Sequence, residues 1–471
     1  MSNRTRVVIA GGTGFVGRHL VARLKERFDV VVLSRRSPPI QREDGVRFER
    51  CDLFSLLDLE RSLAGADYAV YLVHSMLPTS RLTQANFADQ DIIVADNFAR
   101  AARGAGVKQI VYLGGLLPQG DAISQHLRSR REVETVLAAR GTPLTAVRAG
   151  LIVGADGSSF QMLLRLVRRL PVMICPRWTT NVSQPVGLGE VLDTLESSLG
   201  DSTRFGRALP VGSSDRPSYL DMMRTTARVL GRPLFLFVVP FNSYFLSRLW
   251  VRLFSGAPIT LVAPLVESMK HPMLAEPNFI ESSAGTFEAS LRTALEAGSR
   301  LPSEPERRAR PRTAVPERLN EVRSIQRMSL PPGKDARWAI VRYGLWLDAS
   351  PGLTVRFDRR ARKLVFKALG MTLLELTLSG ERSSPDRRLY YITGGVLLAE
   401  NPGRGRLEFR SFPENDILIT AIHEFRPRLP WFIYNLSQAP VHLLVMKAFT
   451  RHLERYTMLK LRRRLQRGRG T

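Results

Sequence analysis

The sequence predicts two successive parts, an α/β domain built on a doubly wound parallel sheet and a separate α+β domain after it. Three observations support this division. Strand-like and helix-like segments alternate over about the first 150 residues, and a glycine-rich turn joins the first strand to the first helix. A proline-rich, charged segment then precedes a region of short alternating strands. With 471 residues, 44% of them hydrophobic, the chain is long enough for two or three cores.

Short apolar runs with strand character recur along the first part, and helical stretches separate them. The strand-like runs cover residues 6–10, 29–33, 46–50, 68–74, 109–113 and 145–149. The clearest helical stretches cover 15–28, 86–105 and 124–140. This alternation is typical of a parallel sheet with helices on both faces. The pattern loosens over 150–299, which we expect to form a lid region of the same domain, so the first domain is placed at 1–299.

The rest of the chain has a different pattern. Residues 300–336 contain six prolines and many charges, which predicts an interdomain linker. A second domain is expected at 337–460, followed by a basic tail at 461–471. Its alternating runs predict an antiparallel sheet, and they cover residues 352–357, 373–379, 389–393, 405–412 and 418–425. A helical pattern over 439–461 predicts a long C-terminal helix that packs on this sheet.

The most specific signal is the turn that follows the first strand. Its glycines, Gly11, Gly14 and Gly17, have the spacing of a Rossmann phosphate-binding turn between a strand and a helix. The first permits a tight turn, the second lets a pyrophosphate approach the backbone, and the third allows close helix packing. The free N–H groups of the helix N-terminus attract phosphates. We expect the turn to bind a dinucleotide through Gly11, Thr13, Gly14, Phe15, Val16 and Gly17.

The end of the second strand indicates which dinucleotide is bound. Enzymes that use NAD usually place an acidic residue there for the ribose hydroxyls, whereas this chain has Ser34, Arg35 and Arg36. A guanidinium can pair with the 2′-phosphate of NADP, which an aspartate would repel. The sequence therefore predicts that NADP(H) is preferred over NAD(H). The alternative is that these arginines are ordinary surface charge.

Two further segments are expected at the cofactor. Asp52 and Leu53 follow the third strand, where the carboxylate accepts from the adenine amine and the leucine packs on the ring. Asp52 is equally suited to capping the next helix. Val73 and His74 end the fourth strand, close to the nicotinamide ribose in this fold. The alternative for His74 is a hydrogen-bonded core histidine.

These motifs, with residues 71–76 and 111–115, resemble an atypical short-chain dehydrogenase/reductase of the NmrA-like group. Segments 124–130, 148–154 and 170–178 are similar to those of bacterial NAD(P)-binding proteins that carry an appended C-terminal domain of unknown function. The resemblance covers roughly residues 5–275 and is weaker beyond them. It implies a nicotinamide dinucleotide cofactor and oxidoreductase chemistry.

The resemblance also implies a catalytic tyrosine, a lysine four residues later and a serine after the fifth strand. This chain departs from that set, because His126 and Arg130 fill the first two positions and Gly114 and Gly115 the third. The spacing keeps both side chains on one helix face. His126 is a candidate acid near neutral pH, whereas Arg130 does not exchange protons in a working range.

Two functions follow from this departure. The preferred one is an NADP(H)-dependent oxidoreductase acting on a small or lipid-like carbonyl or double bond, with His126 or water supplying the proton. The alternative is a non-catalytic dinucleotide-binding sensor or scaffold. No cluster of His, Cys, Asp and Glu has metal-ligand spacing, so no metal is expected.

The net charge of +26 is unevenly distributed. From residue 337 to the end there are 25 Lys and Arg against 11 Asp and Glu, and the last residues are the most basic. Such a tail is typical of contact with polyanions, and we favour an anionic membrane over nucleic acid. A solvated tail is the plain alternative. Without a signal peptide or a long apolar run, we expect a cytoplasmic protein, with peripheral contact at the inner face of the membrane.

Overall fold

The structure is a computed structural model of the chain. It describes residues 4–35, 40–43, 45–74, 82–118, 124–240, 267–275, 285–299, 321–349, 353–358, 362–368, 370–399, 404–412, 414 and 416–467. These residues divide into two compact units. The first unit comprises Met1–Met76 and Asp91–Ala314, and the second comprises Leu77–Gln90 and Val315–Thr471. Among the described helices, none is long and apolar enough to cross a bilayer.

The first unit is built on an eight-stranded sheet in which seven strands run parallel. In spatial order the strands are β12 (Ala208–Val211), β8 (Leu144–Ala149), β7 (Gln109–Gly115), β5 (Tyr68–Tyr71), β1 (Arg6–Ala10), β2 (Asp29–Ser34), β4 (Val46–Arg50) and the antiparallel edge strand β3 (Ile40–Glu43). Strands β2, β3 and β4 lie on one side of β1, and the later strands β5, β7, β8 and β12 lie on the other side. This reversal confirms the predicted doubly wound sheet.

Helices pack on both faces of this sheet because its strands are apolar on both sides. Val7 and Ile9 of β1 pack with one group of helices, whereas Tyr71 of β5 contacts Phe98 on the opposite face, with ring centroids 5.1 Å apart. The helices of the first unit are α1 (Phe15–Leu24), α2 (Leu56–Leu63), α3 (Phe87–Gly104), α4 (Gln125–Ala138), α5 (Ser158–Arg169), α6 (Leu188–Ser198), α7 (Tyr219–Val229) and α8 (Phe287–Ser299). Helices α1 and α6 share the face of Val7 and Ile9.

The lid region contains two small parallel pairs of strands. One pair consists of β9 (Ile152–Val153) and β11 (Val186–Gly187), and the other of β10 (Val172–Pro176) and β13 (Phe235–Val239). Helices α5, α7 and α8 pack together around Phe160 and Phe287, which are fully buried. The lid region therefore has an apolar core of its own.

The second unit contains the predicted antiparallel sheet and long C-terminal helix. Its strands are, in spatial order, β15 (Leu353–Asp358), β16 (Lys363–Ala368), β17 (Met371–Leu378), β18 (Arg387–Gly394), β19 (Arg406–Phe412), β20 (Ile417–Phe425), β14 (Val322–Ser329) and β6 (Leu82–Gln84). Neighbours are antiparallel except for β14 and β6, which are parallel. The helices are α9 (Ala336–Asp348), α10 (Trp431–Leu436) and α11 (Gln438–Arg467).

Aromatic residues join one face of this sheet to α9 and α11. The ring of Tyr343 in α9 lies 5.5 Å from that of Phe409 in β19 and 5.0 Å from that of Phe449 in α11. All three side chains are buried in one apolar core. The antiparallel sheet and the long helix that packs on it, both expected for this part, are therefore present.

The second unit begins earlier along the chain than the sequence pattern suggests. Strand β14 lies inside the 300–336 segment that was expected to be a linker, and β6 comes from the first third of the sequence. In β14 the polar Arg323 and Ser324 are buried, so the strand lacks the apolar alternation from which strands are read. The segment expected as a tail at 461–471 is helical as far as Arg467.

Candidate functional site

The glycine turn lies where the strand order of the first sheet reverses. Gly11 follows β1 with a φ of +87°, and a Cβ atom on it would lie 2.9 Å from the carbonyl carbon of Leu72, just after β5. The carboxyl ends of β1 and β5 are therefore in close contact. In open α/β sheets, ligands bind outside the carboxyl ends of the strands at such a reversal.

Close packing in the turn explains its glycines. A Cβ atom on Gly17 would lie 2.2 Å from the Gly11 carbonyl oxygen, so only glycine fits there. Gly14 is the N-cap of α1 and its N–H donates to the Gly11 carbonyl over 3.0 Å. The first turn of α1 carries no acidic residue, so its positive dipole end stays available to an anion.

A cleft of about 500 Å³ opens at this turn, within the size range of small-molecule sites. Of the described residues predicted to bind the dinucleotide or act in catalysis, eight line it: Gly11, Gly14, Phe15, Val16, Gly17, His74, His126 and Arg130. The six other described residues of the prediction do not line the cleft: Thr13, Ser34, Arg35, Asp52, Leu53 and Val73. Arg36 is not among the residues that the structure describes. The turn and the histidine positions are thus in one cavity.

The position expected to read the ribose is at the carboxyl end of β2. Ser34 is the last residue of that strand, and its carbonyl accepts from the Cys51 N–H over 3.0 Å. Arg35 follows it and is exposed. A guanidinium on an exposed strand end beside the glycine turn is accessible to a phosphate.

Asp52 and Leu53 stabilise the turn after β4. One carboxylate oxygen of Asp52 accepts from the Phe54 N–H over 3.2 Å, and the Leu53 carbonyl accepts from the Asn97 side chain over 3.0 Å. The N-cap of α2 is Ser55, not Asp52. Asp52 therefore has a structural role in this turn, and the helix-capping alternative for it is incorrect.

Two histidines line the cleft next to each other, and an aspartate contacts one of them. His74 Nδ1 lies 3.0 Å from Asp91 Oδ2, and the rings of His74 and His126 have centroids 5.2 Å apart. His126 is the second residue of α4, whose N-cap Ser124 accepts from the Leu127 N–H. Arg130, one helical turn later, accepts a hydrogen bond from Tyr112 through its carbonyl. The predicted i, i+4 pair thus lines the cleft.

Both imidazoles are neutral at neutral pH. Burial, the Arg130 guanidinium and His74 lower the pKa of His126 to about 3. Burial and Arg130 also lower the pKa of His74, while Asp91 opposes them. His126 consequently carries no imidazolium proton to donate at physiological pH. Its neutral ring can still donate one N–H hydrogen bond.

Close packing explains one of the two glycines that replace the expected serine, Gly114, whereas a Cβ atom on Gly115 would be 3.7 Å from its nearest neighbour. A Cβ atom on Gly114 would lie 2.9 Å from the ring of Tyr112. Any larger residue at this position would displace a tyrosine that is itself fully buried. Gly114 and Gly115 therefore offer backbone groups to the cleft but no hydroxyl.

A smaller apolar chamber of about 80 Å³ adjoins the cleft. The two cavities share four lining residues, Leu151, Ser159, Tyr219 and Met269. The rest of the chamber wall is almost entirely apolar and comes from α5, α7 and the segment between them: Met162, Leu163, Leu166, Cys175, Pro176, Trp178, Thr179, Met222 and Met223. Such a wall accepts hydrocarbon and excludes charge.

Tyr219 places a phenol at the junction of the two cavities. It opens α7 directly after the N-cap Ser218, and its ring packs edge-on against Trp178 at 6.1 Å. Burial raises the pKa of its hydroxyl to about 12, while a hydrogen bond with Ser183, which also lines the cleft, acts in the opposite direction. The side chain is therefore a protonated phenol at neutral pH.

Asp91 and Tyr219 are not among the residues expected from the sequence. Asp91 had a visible signal, because it is an acidic residue inside the apolar face of a helix. Tyr219 had only a helix start as its signal. Within the described parts of the chain, no three His, Cys, Asp or Glu side chains are arranged to hold a metal ion.

A family of known proteins matches the part of the chain that carries the glycine turn. Residues 7–135 match the model of the "NAD dependent epimerase/dehydratase family". The auxiliary protein GraX of Staphylococcus aureus is 29% identical over 145 residues, which span 30% of this chain and 43% of GraX. The ceramide reductase of Caulobacter vibrioides is 28% identical over 235 residues, covering 48% of this chain and 70% of that enzyme.

Solved structures also align with part of the chain. A nucleoside-diphosphate-sugar epimerase from Staphylococcus aureus aligns with a TM-score of 0.49 at 15% identity, covering 61% of this chain and 100% of that structure. The NADPH-dependent quinone oxidoreductase QOR2 of Escherichia coli, complexed with NADPH, aligns with a TM-score of 0.48 at 15% identity. The alignment covers 61% of this chain and 99% of that structure.

The expected resemblance to short-chain dehydrogenase/reductases is confirmed for the part of the chain that carries the glycine turn. The strand order, the turn and the family match coincide there. Of the α+β unit, Val315–Thr471 lies outside the matched residues, whereas Leu77–Gln90 lies within them. Residues 7–135, which carry the glycine turn of a Rossmann-type sheet, are thus similar to the NAD dependent epimerase/dehydratase family, and the chain also contains a separate α+β unit.

Proposed function

We propose that this protein is an NADP(H)-dependent reductase of a carbonyl or activated double bond in a lipid-like substrate. The observation that carries the proposal is the apolar chamber that shares a wall with the dinucleotide cleft. A substrate whose polar end lies in the cleft has room for a hydrocarbon arm in the chamber. The similarity to a ceramide reductase and to other reductases supports this chemistry.

The residues of the glycine turn suit the cofactor. Gly11 and Gly17 leave no space for side chains, and the N-terminus of α1 points its free N–H groups toward an anion. Bound NADPH would supply a hydride to the substrate carbon. Arg35 is the residue that we expect to distinguish NADP(H) from NAD(H), through its guanidinium and the 2′-phosphate.

The remaining residues of the cleft bind the polar end of the substrate and supply a proton. His126 is neutral, so its role is to donate an N–H hydrogen bond to a carbonyl oxygen. Tyr219 holds a proton at its hydroxyl and lies where the polar end meets the chamber. We assign it the proton that the reduced oxygen or carbon must gain, with Ser183 as its hydrogen-bond partner.

The test is NADPH oxidation against a homologous series of methyl ketones and enones of increasing chain length. We expect kcat/KM to rise with chain length until the chamber is filled. Replacing a chamber residue, Leu163→Phe, should remove this dependence while short substrates still react. Leu170→Phe is the matched control, because Leu170 packs in the same apolar cluster but does not line the chamber. Equal kcat/KM for all chain lengths would refute the lipid-like substrate.

A second candidate function is a non-catalytic dinucleotide sensor. It is favoured by Gly114 and Gly115 and by the His126–Arg130 pair, which replace the catalytic set of the related enzymes. Titration calorimetry with NADP⁺ and NADPH distinguishes the two functions when combined with the substrate series. Tight binding of both forms with no turnover of any ketone or enone would favour the sensor.

A further inference from the structure

In the two-stranded sheet of the lid region, one face is exposed and the other is buried along β10, while Val238 of β13 is 46% exposed. Met173 and Cys175 of β10 point inward, and each is 1% exposed. The alternate residues point outward and are large and apolar: Val172 (53% exposed), Ile174 (62%), Phe235 (59%) and Phe237 (58%). Contiguous exposed side chains of this kind mark an interaction site more often than plain surface. We call these four residues the β10–β13 face.

Arginines flank this face at both ends. Arg168, Arg169 and Arg232 precede the two parallel strands, and the Arg232 guanidinium donates to the Arg168 carbonyl over 3.1 Å. Arg177 directly follows β10. Residues 161–180 and 222–240, which supply the strands and the ends of α5 and α7, contain seven arginines and no Asp or Glu, and two of the seven, Arg224 and Arg228, pair with Asp221 and Glu288. The rim of the face is therefore cationic.

We propose that the β10–β13 face docks on an anionic lipid bilayer. Apolar side chains that insert among acyl chains, surrounded by cations that meet anionic headgroups, are the chemistry of peripheral membrane binding. A second copy of the chain is a poor occupant, because a symmetric contact would bring the same arginines together. An uncharged protein surface would offer these cations no complementary charge.

The β10–β13 face lies next to the apolar chamber, which suits a protein that docks on a bilayer. Strand β10 has Ile174 on its outer side, while Cys175 and Pro176 line the apolar chamber. A single strand thus separates the docked bilayer from the chamber. The proposal concerns binding, so it does not depend on whether the protein turns over a substrate.

The experiment is co-flotation of the full chain with vesicles of phosphatidylcholine, with and without phosphatidylglycerol. We expect binding to the anionic vesicles that weakens as salt is raised. The double variant Ile174→Asp/Phe237→Asp should lower the partition coefficient at least about tenfold, because two inserted side chains are lost. Arg168→Glu/Arg232→Glu should reduce binding to the anionic vesicles selectively.

Two control variants locate the contact. Leu345→Asp changes a similarly exposed leucine (61%) on α9 and should leave flotation unchanged. Phe432→Asp/Leu436→Asp changes another exposed apolar pair (68% and 83%) and should also leave it unchanged. Retained NADPH binding and an unchanged Tm show that each variant is folded.

Three outcomes would overturn the proposal. The first is a wild-type chain that does not float with anionic vesicles. The second is a β10–β13 variant that binds them as the wild type does, with binding lost instead in the Phe432/Leu436 variant or on truncation after Thr457. The third is a wild-type dimer, seen by light scattering, that the β10–β13 variant dissociates.

Discussion

His74 Nδ1 lies 3.0 Å from a carboxylate oxygen of Asp91, and this pair fixes the tautomer of the histidine. An ionised carboxylate only accepts hydrogen bonds, so the proton of the neutral imidazole is on Nδ1 and the lone pair on Nε2. Asp91 is 2% exposed and belongs to α3, whereas His74 lies three residues after the end of β5, so the strand predicted to end at His74 ends at Tyr71. The cleft therefore contains an oriented acceptor nitrogen.

Replacing Asp91 by Asn should release this orientation. The amide can donate as well as accept, so both tautomers of His74 become accessible. We expect kcat/KM for NADPH oxidation to fall at least about tenfold while the Kd for NADPH changes little. Asp96→Asn is the matched control, since Asp96 is buried in the same helix but pairs with Arg100 and Arg140. Asp96→Asn should lower Tm and leave kcat unchanged. A loss of kcat in Asp96→Asn but not in Asp91→Asn would contradict the role of Asp91.

The low pKa of His126 makes a clear prediction about pH. A histidine that stays neutral down to about pH 3 does not titrate between pH 5.5 and 8, so kcat/KM should show no inflection from it there. An imidazolium acid with the ordinary pKa of about 6.5 would instead lose activity as the pH rises through that value. The His126→Gln variant, which keeps an N–H donor, should retain more activity than His126→Ala. If kcat/KM of the wild type instead falls as the pH rises through about 6.5, and this fall is absent from both variants, His126 acts as an acid after all.

Tyr219→Phe removes the proposed proton donor while keeping the ring against Trp178. We expect kcat to fall about 10²-fold, the lower range for loss of a general acid, with the Kd for NADPH and Tm close to those of the wild type. Ser183→Ala should have a smaller effect in the same direction, because it removes the hydrogen bond that lowers the pKa of the phenol. Full activity of Tyr219→Phe would show that the proton comes from elsewhere.

Gly17→Ala tests the glycine turn by sterics alone. The new methyl group would lie 2.2 Å from the Gly11 carbonyl oxygen, so α1 must shift away from the turn. We expect NADPH affinity to fall at least tenfold, and the free energy of unfolding to fall by about 1–3 kcal/mol. Gly189→Ala in α6 is the control, because nothing lies within 4 Å of its added Cβ. That variant should bind NADPH normally and be slightly more stable.

Arg35→Asp tests the cofactor preference. Wild-type protein should bind NADPH at least about tenfold more tightly than NADH, and the variant should lose this difference, because a carboxylate repels the 2′-phosphate and accepts from ribose hydroxyls. Arg207→Asp alters an exposed arginine just before β12, at the opposite end of the strands, and should leave the ratio unchanged. Equal wild-type affinities for the two dinucleotides, measured by calorimetry, would rule out the preference.

Much of the first unit could be predicted from the sequence because local pattern and tertiary position agree there. Strand β1 and the glycine turn are contiguous, and their spacing carries both the fold and the phosphate site. The strands of the second unit with apolar alternation were equally visible. Strand β14 could not be predicted in this way, because it buries the polar residues Arg323 and Ser324. Burial of such residues is stabilised only once the whole sheet has formed.

The site was predictable only where its residues are neighbours along the chain. His126 and Arg130 have helical spacing, so their common face could be expected. Asp91 and Tyr219 come from α3 and α7, and only the folded chain brings Asp91 into contact with His74 and Tyr219 into the same cleft. The electrostatic consequence was also hidden, because the low pKa of His126 depends on burial and on both neighbouring groups.

The pairing of β6 with β14 has a consequence for how the two domains can be inherited. The chain leaves the first unit after Met76, contributes Leu82–Gln84 to the edge of the second sheet, and returns at Asp91. Gln84 accepts from Ser324 and Gln326 there, so the insertion is anchored by side chains as well as by the strand. Neither domain is encoded by one uninterrupted stretch. A gene fission or a domain shuffle at a single breakpoint would therefore leave one product with an unpaired segment and the other with an uncovered sheet edge.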